Sequence, residues 1–261
     1  MIFPKKSLGQ NFLIDKNIIN KIIDTVKITG KNIIEIGPGD GALTEKILKK
    51  KPKNLFLIEK DVNLFKNLET KFKDINNIKI YNQDILKFNF KIIKKRNLVI
   101  FGNLPYNISS QILVKLLKIN YWPPQHENLI LMFQKELGEK IIAKHPSKNY
   151  SRISILTNLI LDVQTKFLVS PNCFKPKPKV KSIVIHFKPK TKKVGNIKNL
   201  ENLEKVTNFF FNNKRKMINK NIKKILNEDE IIRIKNIKLN MRPSDIAPNM
   251  YYKITELIEN R

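Results

Sequence analysis

From Asn32 onward, short unbroken apolar runs alternate with stretches whose apolar residues recur at helical spacing. The runs are NIIEI (32–36), NLFLIE (54–59), IKIYNQD (78–84), NLVIFGN (97–103) and NLILMFQ (128–134). Runs of this length, rich in Ile, Leu, Val and Phe, read as strands buried on both faces. Strands that alternate with helices imply a mostly parallel sheet covered on either side.

Beyond NLILMFQ the pattern is helical over Lys135 to Lys144 and Ser151 to Leu161, then strand-like in VQTKFLV (163–169) and VKSIVIHF (180–187). A proline-studded connection, SPNCFKPKPK, joins those last two runs, which are expected to form an antiparallel pair closing one edge of the sheet. Residues 189–197 are basic, contain Gly195 and have no apolar period, so they read as a linker. Helical spacing then continues to the end. The organisation expected is an α/β domain over 1–188 and a small all-helical domain over 198–261.

Composition narrows the partners. In 261 residues, 51 Lys and Arg face 22 Asp and Glu, a formal charge of +29 that suits a phosphate polyanion such as nucleic acid. Only six of the basic residues are arginines, and Lys, Ile and Asn abound throughout, a bias that an AT-rich genome can also produce. Cys173 stands alone and His126, His145 and His186 lack metal-ligand spacing, which points to a reducing cytoplasm and no bound metal. No apolar run approaches the roughly 20 residues of a membrane span, and MIFPKKSLGQNFLID has no signal-peptide core, so neither membrane insertion nor export is expected.

Candidate chemistry begins in Glu35-Ile36-Gly37-Pro38-Gly39-Asp40-Gly41-Ala42, between a buried strand and a helix. Gly37 and Gly39 let the backbone turn sharply and approach a nucleoside cofactor. Glu59, 22 residues after Gly37 at the end of the second strand, is placed to accept both hydroxyl hydrogens of an adenosine ribose. Those features suit a dinucleotide as well as S-adenosylmethionine. Asp84 adds an acceptor for the exocyclic amine of the cofactor adenine and shifts the balance to S-adenosylmethionine.

Gly102-Asn103-Leu104-Pro105-Tyr106 ends the fourth strand, where open α/β sheets bind their ligands. The N6 amine of adenine is a poor nucleophile, because its lone pair is delocalised into the ring. The Asn103 side-chain oxygen and the Leu104 or Pro105 carbonyl supply acceptors for its two N–H groups. Pro105 stiffens the loop and the Tyr106 ring offers a stacking surface worth about 1–3 kcal/mol. Phe174 is the candidate for the opposite face of a base drawn out of its surroundings.

Taken together, these residues resemble the ribosomal RNA adenine dimethyltransferase family, its bacterial small-subunit branch in particular. The likeness runs through LGQNFLID, IIEIGPGDGALT, LIEKD, FGNLPYNIS, MFQKE, YSRISIL and CFKPKPKVKSIVI. It implies a class I methyltransferase fold, Rossmann-like, with a seven-stranded sheet. The activity implied is N6,N6-dimethylation of two adjacent adenines near the 3′ end of small-subunit (16S) ribosomal RNA in the immature particle, by a monomer. S-adenosyl-L-methionine would be converted to S-adenosyl-L-homocysteine.

At matched positions, the resemblance gives Asn11, Leu13, Gly37, Gly39, Glu59, Asp84 and Asn103 to the cofactor, and Asn103, Leu104, Pro105, Tyr106 and Phe174 to the adenine. Asn11 and Leu13 owe these roles to the resemblance alone; their own pattern reads as a helix start. Lys214, Arg215 and Lys216 would contact RNA from a helix. Asn219 and Lys220 stand where the family usually has an Arg-Asn pair.

Three other readings are weaker. A non-catalytic RNA-binding factor on this fold would have shed Glu59, Asp84 and NLPY. A large-subunit resistance methyltransferase would commonly differ within NLPY and match Met241-Arg242-Pro243-Ser244-Asp245-Ile246 less closely. A dehydrogenase would need a proton donor beside its cofactor.

Overall fold

The computed structural model describes residues 9–119 and 122–261. It opens on a two-residue strand, β1 (Phe12–Leu13), and a helix, α1 (Lys16–Ile23). The expected helix start at Asn11 to Leu13 is therefore corrected. Asp15 caps the helix, its carboxylate accepting from the Asn17 and Ile18 backbone N–H groups, and this satisfies donors that the preceding residues would otherwise have to meet.

The α/β alternation follows: β2 (Asn32–Ile36), α2 (Ala42–Lys49), β3 (Asn54–Glu59), α3 (Val62–Lys71), β4 (Ile78–Asn82), β5 (Leu98–Asn103), α4 (Ser109–Lys118) and β6 (His126–Gln134). Then come α5 (Lys135–Ile141), α6 (Arg152–Ile160), β7 (Leu161–Val169), β8 (Phe174–Lys175) and β9 (Ser182–Pro189). Seven strands form one sheet in the order β4-β3-β2-β5-β6-β9-β7. β2 to β6 run parallel, and β9 returns antiparallel to β6 with Ser182 opposite Gln134. β9 and β7 do lie side by side at that edge, as their alternation predicts. β1 and β8 make a separate antiparallel pair that the sequence does not announce, Phe12 with Lys175 and Leu13 with Phe174.

Consecutive residues of a strand face opposite sides of the sheet. In β2, Ile33, Ile34, Glu35 and Ile36 are all buried, as are five successive residues of β5 and six of β6. Each large aliphatic side chain so withdrawn from water contributes about 1.5–3 kcal/mol. The edge strand β7 is mostly exposed. β4 stops at Asn82, so Asp84 sits in the turn beyond the strand.

The chain divides into two compact units. The first comprises Met1–Lys115, Pro124–Gly138 and Asp162–Pro189; the second comprises Leu116–Pro123, Glu139–Leu161 and Lys190–Arg261. The helical unit thus takes in more of the chain than 198–261. Its helices are α6, α7 (Leu200–Phe211), α8 (Asn219–Ile222), α9 (Glu228–Ile232) and α10 (Pro248–Glu259). Buried tyrosines tie α6 in: the Tyr252 hydroxyl donates to the Ile155 carbonyl and the Tyr150 hydroxyl to the Ile246 carbonyl. Of the segment read as a linker, Ile197 is buried and the Asn196 N–H donates to Glu256.

Candidate active site

The loop after β2 turns through left-handed residues, Gly37 at φ 65° and Gly39 at φ 62°, which L side chains rarely adopt. At Gly39 space is also short. A Cβ there would lie 2.9 Å from Cδ1 of Phe12, whose ring rests against the loop. The Gly39 N–H donates to Oε2 of Glu59 at 3.3 Å, and the Asp61 N–H donates to Oε1 at 2.8 Å. Glu59 is buried, which pushes its pKa up, while those N–H groups pull it back.

Asp84 receives the Leu86 N–H on Oδ1 and an ion pair from the Lys60 ammonium, 2.9 Å from Oδ2. Burial raises its pKa, but the Lys60 pair and the Leu86 N–H outweigh it, and the carboxyl lies below its ordinary value. Lys60 was missed by sequence reasoning, since a lysine after a strand is common in so basic a chain.

Asn103, the last residue of β5, turns its side-chain NH2 towards the Asn11 backbone carbonyl at 2.8 Å. With Nδ2 thus engaged, Oδ1 is the end of the amide left to receive a substrate N–H. Leu104 is buried, and Gly102 makes room for it, a Cβ there falling 2.6 Å from the Leu104 Cδ2. The Tyr106 hydroxyl lies 2.6 Å from the Ser182 hydroxyl at the start of β9. Burial raises the Tyr106 pKa and the Ser182 hydrogen bond lowers it, leaving it above its ordinary value.

These elements surround one cavity of about 180 Å³ at the carboxyl ends of β2 to β5, where the sequence places it. Asn11, Leu13, Gly37, Gly39, Glu59, Asp84, Asn103, Leu104, Pro105 and Tyr106 all line it. Phe174 does not: it is 3% exposed, within the hydrophobic cluster beside Leu13, so in this structure its ring is core rather than pocket wall. Lys214, Arg215 and Lys216 are all exposed but lie in the turn after α7 rather than on a helix, which corrects their expected setting. The Asn212 N–H still donates to the Asn208 carbonyl, the last helical hydrogen bond before the turn.

Among the described residues, four carboxyl side chains line the cavity, those of Glu35, Asp40, Glu59 and Asp84, against a single lysine, Lys60. Burial keeps Glu35 largely protonated near neutral pH, and the other three carboxyls still outnumber the lysine. In a chain of net charge +29 this is a reversal of sign, and it favours a cationic ligand over a dinucleotide with its anionic diphosphate. Glu35 carries no role in the sequence reading beyond its place before Gly37. It is fully buried, accepts from the Thr44 hydroxyl at 2.6 Å, and burial pushes its pKa up to about 8.

A mostly parallel seven-stranded sheet, a glycine loop, an acid ending β3, a second in the turn after β4 and an acidic cavity closed by Asn-Leu-Pro-Tyr define a class I methyltransferase that uses S-adenosylmethionine. The chain belongs to the ribosomal RNA adenine dimethylase family, whose model matches residues 3–260. It is 44% identical over 260 residues to ribosomal RNA small subunit methyltransferase A of Pelagibacter ubique (strain HTCC1062), covering 98% of this chain and 97% of that one. The protein of the same name from Mycoplasmopsis synoviae (strain 53) is 40% identical, covering 97% and 94%.

Among solved structures, a dimethyladenosine transferase from Plasmodium falciparum superimposes with a TM-score of 0.75 at 26% identity, covering 95% of this chain and 98% of that one. The 23S rRNA methyltransferase ErmE, at 22% identity and a TM-score of 0.70, shares the fold, covering 95% and 100%.

Proposed function

We propose that this chain dimethylates, at N6, two adjacent adenines in a loop near the 3′ end of small-subunit ribosomal RNA during maturation of the particle. The observation that carries this is the acidic cavity opening beside Asn103: a cation-binding pocket and an acceptor for an amine share one wall.

The residues present fit S-adenosylmethionine. Glu59 and Asp84 would hold its adenosine, the Gly37 to Gly39 turn admits it without Cβ obstruction, and the surrounding carboxyls balance its cationic end. Bound there, it supplies an activated methyl group. The chain's own task is the target amine. Asn103 Oδ1 and the Leu104 or Pro105 backbone carbonyl accept hydrogen bonds from its N–H groups, drawing density onto nitrogen as the new bond forms; the proton released at each methylation passes to solvent. Tyr106 presents its ring to the base, with its hydroxyl tied to Ser182.

Phe174 enters this reading only if its ring turns out of the core to cover the other face of the base. The exposed triplet Lys214, Arg215 and Lys216 would bind phosphates. Among the described residues, no helix is long and apolar enough to cross a membrane, and no cluster of three His, Cys, Asp or Glu is placed to hold a metal. The reading includes a monomeric, cytoplasmic enzyme, and the free, buried Cys173 suits a reducing compartment.

The test is incubation of the protein with radiolabelled S-adenosylmethionine and separated ribosomal RNAs or subunits. Label is expected on adenines of the small-subunit RNA; label confined to the large-subunit RNA would overturn the assignment.

A further inference from the structure

Between residues 163 and 200 the chain carries ten lysines and no aspartate or glutamate. A general lysine bias does not by itself remove the acids. Four of these lysines, Lys175, Lys177, Lys179 and Lys181, stand at every second position of one short connection, interleaved with Pro176 and Pro178. All four are exposed, and none forms an ion pair among the described residues.

The connection is pinned at both ends to the cavity wall. At its start Phe174 pairs with Leu13, and Leu13 lines the cavity. At its end Ser182 lies 2.6 Å from the Tyr106 hydroxyl and opposite Gln134, the last residue of β6. The Lys135 N–H also donates to the Lys181 carbonyl at 2.9 Å. The four lysines are therefore held along the carboxyl edge of the sheet, where the cavity opens. Proline fixes φ and removes a donor, so the backbone that carries them is stiffened before anything binds.

We propose that Lys175, Lys177, Lys179 and Lys181 form a phosphate-gripping rim that holds the single-stranded RNA flanking the target adenine. The inference rests on the methyl-transfer reading and deepens it. The cavity is lined by carboxyls and repels phosphate, whereas the connection held at this edge of the sheet carries four exposed lysines with no ion pair among the described residues. A nucleotide offered to this site is sorted by charge: the neutral base enters and the backbone stays outside on the lysines. The contacts are to phosphate, so they position the strand without reading its sequence.

The experiment replaces all four lysines with glutamine and measures affinity for small-subunit RNA, and for a short single-stranded RNA with two adjacent adenines, across salt. Each lost phosphate contact on a single strand lowers the slope of log affinity against log salt by about 0.7, so four lower it by about 2.8. Between about 50 and 200 mM salt, that removes roughly fifty-fold of the wild type's salt sensitivity. The RNA KM should rise at least about tenfold at unchanged kcat, because uniform binding is lost rather than transition-state contacts. Affinity for S-adenosylhomocysteine, read by calorimetry, should stay at the wild-type value and verifies folding.

A control carries Lys49→Gln, Lys51→Gln and Lys53→Gln, before β3 at the amino edge of the sheet, and its salt slope should be close to wild type. If the control lowers the slope as much per charge, or if the quadruple variant keeps wild-type slope and KM, the rim is overturned while methyl transfer stands. If the wild-type chain places no label on ribosomal RNA, the methyl-transfer reading fails and the rim fails with it.

Discussion

The Asn103 side-chain NH2 donates to the Asn11 backbone carbonyl at 2.8 Å, joining residues 92 positions apart. This one bond decides which end of the Asn103 amide meets the substrate. Asn103→Ala removes the acceptor and should cut methyl transfer by at least about tenfold, with RNA affinity within a few-fold of wild type, since the contact strengthens as the transition state forms. Asn103→Asp puts an oxygen against the Asn11 carbonyl and should fail as badly, although it keeps an acceptor. Single-turnover rates check both; wild-type turnover in Asn103→Ala would remove the residue from the chemistry.

Glu59→Ala should weaken S-adenosylmethionine binding by roughly 1.5–3 kcal/mol, the range for a lost hydrogen bond to a charged group. It also strips the Gly39 and Asp61 N–H groups of their acceptor, so the glycine loop loosens with it. Calorimetry reads the affinity, and an unchanged value would place the ribose elsewhere.

Gly39→Ala combines two penalties, a left-handed φ that costs an L residue about 1–2 kcal/mol and a Cβ 2.9 Å from the Phe12 ring. Adding Phe12→Ala should relieve the second and not the first. Cofactor affinity in the double variant is therefore expected between those of Gly39→Ala and wild type. A double variant no better than Gly39→Ala would show that the ring does not set the clearance.

His126 is buried with no hydrogen-bond partner on either ring nitrogen among the described residues, and burial lowers its pKa to about 4. The folded state thus keeps it neutral where the unfolded chain, titrating near 6.5, takes a proton. Stability from this site is fully present above pH 6.5 and is lost as pH falls towards 4, by on the order of 2 kcal/mol between about pH 7 and 5. Burial and the Lys188 charge lower His186 to about 4 as well, so its effect has the same sign. Denaturant midpoints followed from pH 7 to 5 should fall less steeply in His126→Gln; parallel curves for the two proteins would exclude the histidine as the cause.

How far the sequence carries can be argued residue by residue. Gly37, Gly39, Glu59 and Asn103 were legible because a parallel sheet places each strand's carboxyl end at the same edge, so residues at strand ends converge whatever the loops do. Lys60, Phe12 and Ser182 were not, because nothing local to a lysine, a phenylalanine or a serine says which distant partner it will meet. The reading of QNFL as a helix start shows the same limit: the helix begins only after Asp15, and the β1 pairing with β8 joins segments over 150 positions apart.

By itself, then, the sequence determined the alternation of strand and helix, the buried runs and the order of the acids along the sheet edge, since these follow from side-chain period and chain direction. Tertiary structure alone decided that Phe174 packs into the core, that α6 belongs with the C-terminal helices, and that Asn103 takes its orientation from Asn11. It also decided the charge pattern, an acid-lined cavity within a chain of +29, because the position of a charge in space depends on which segments fold against one another.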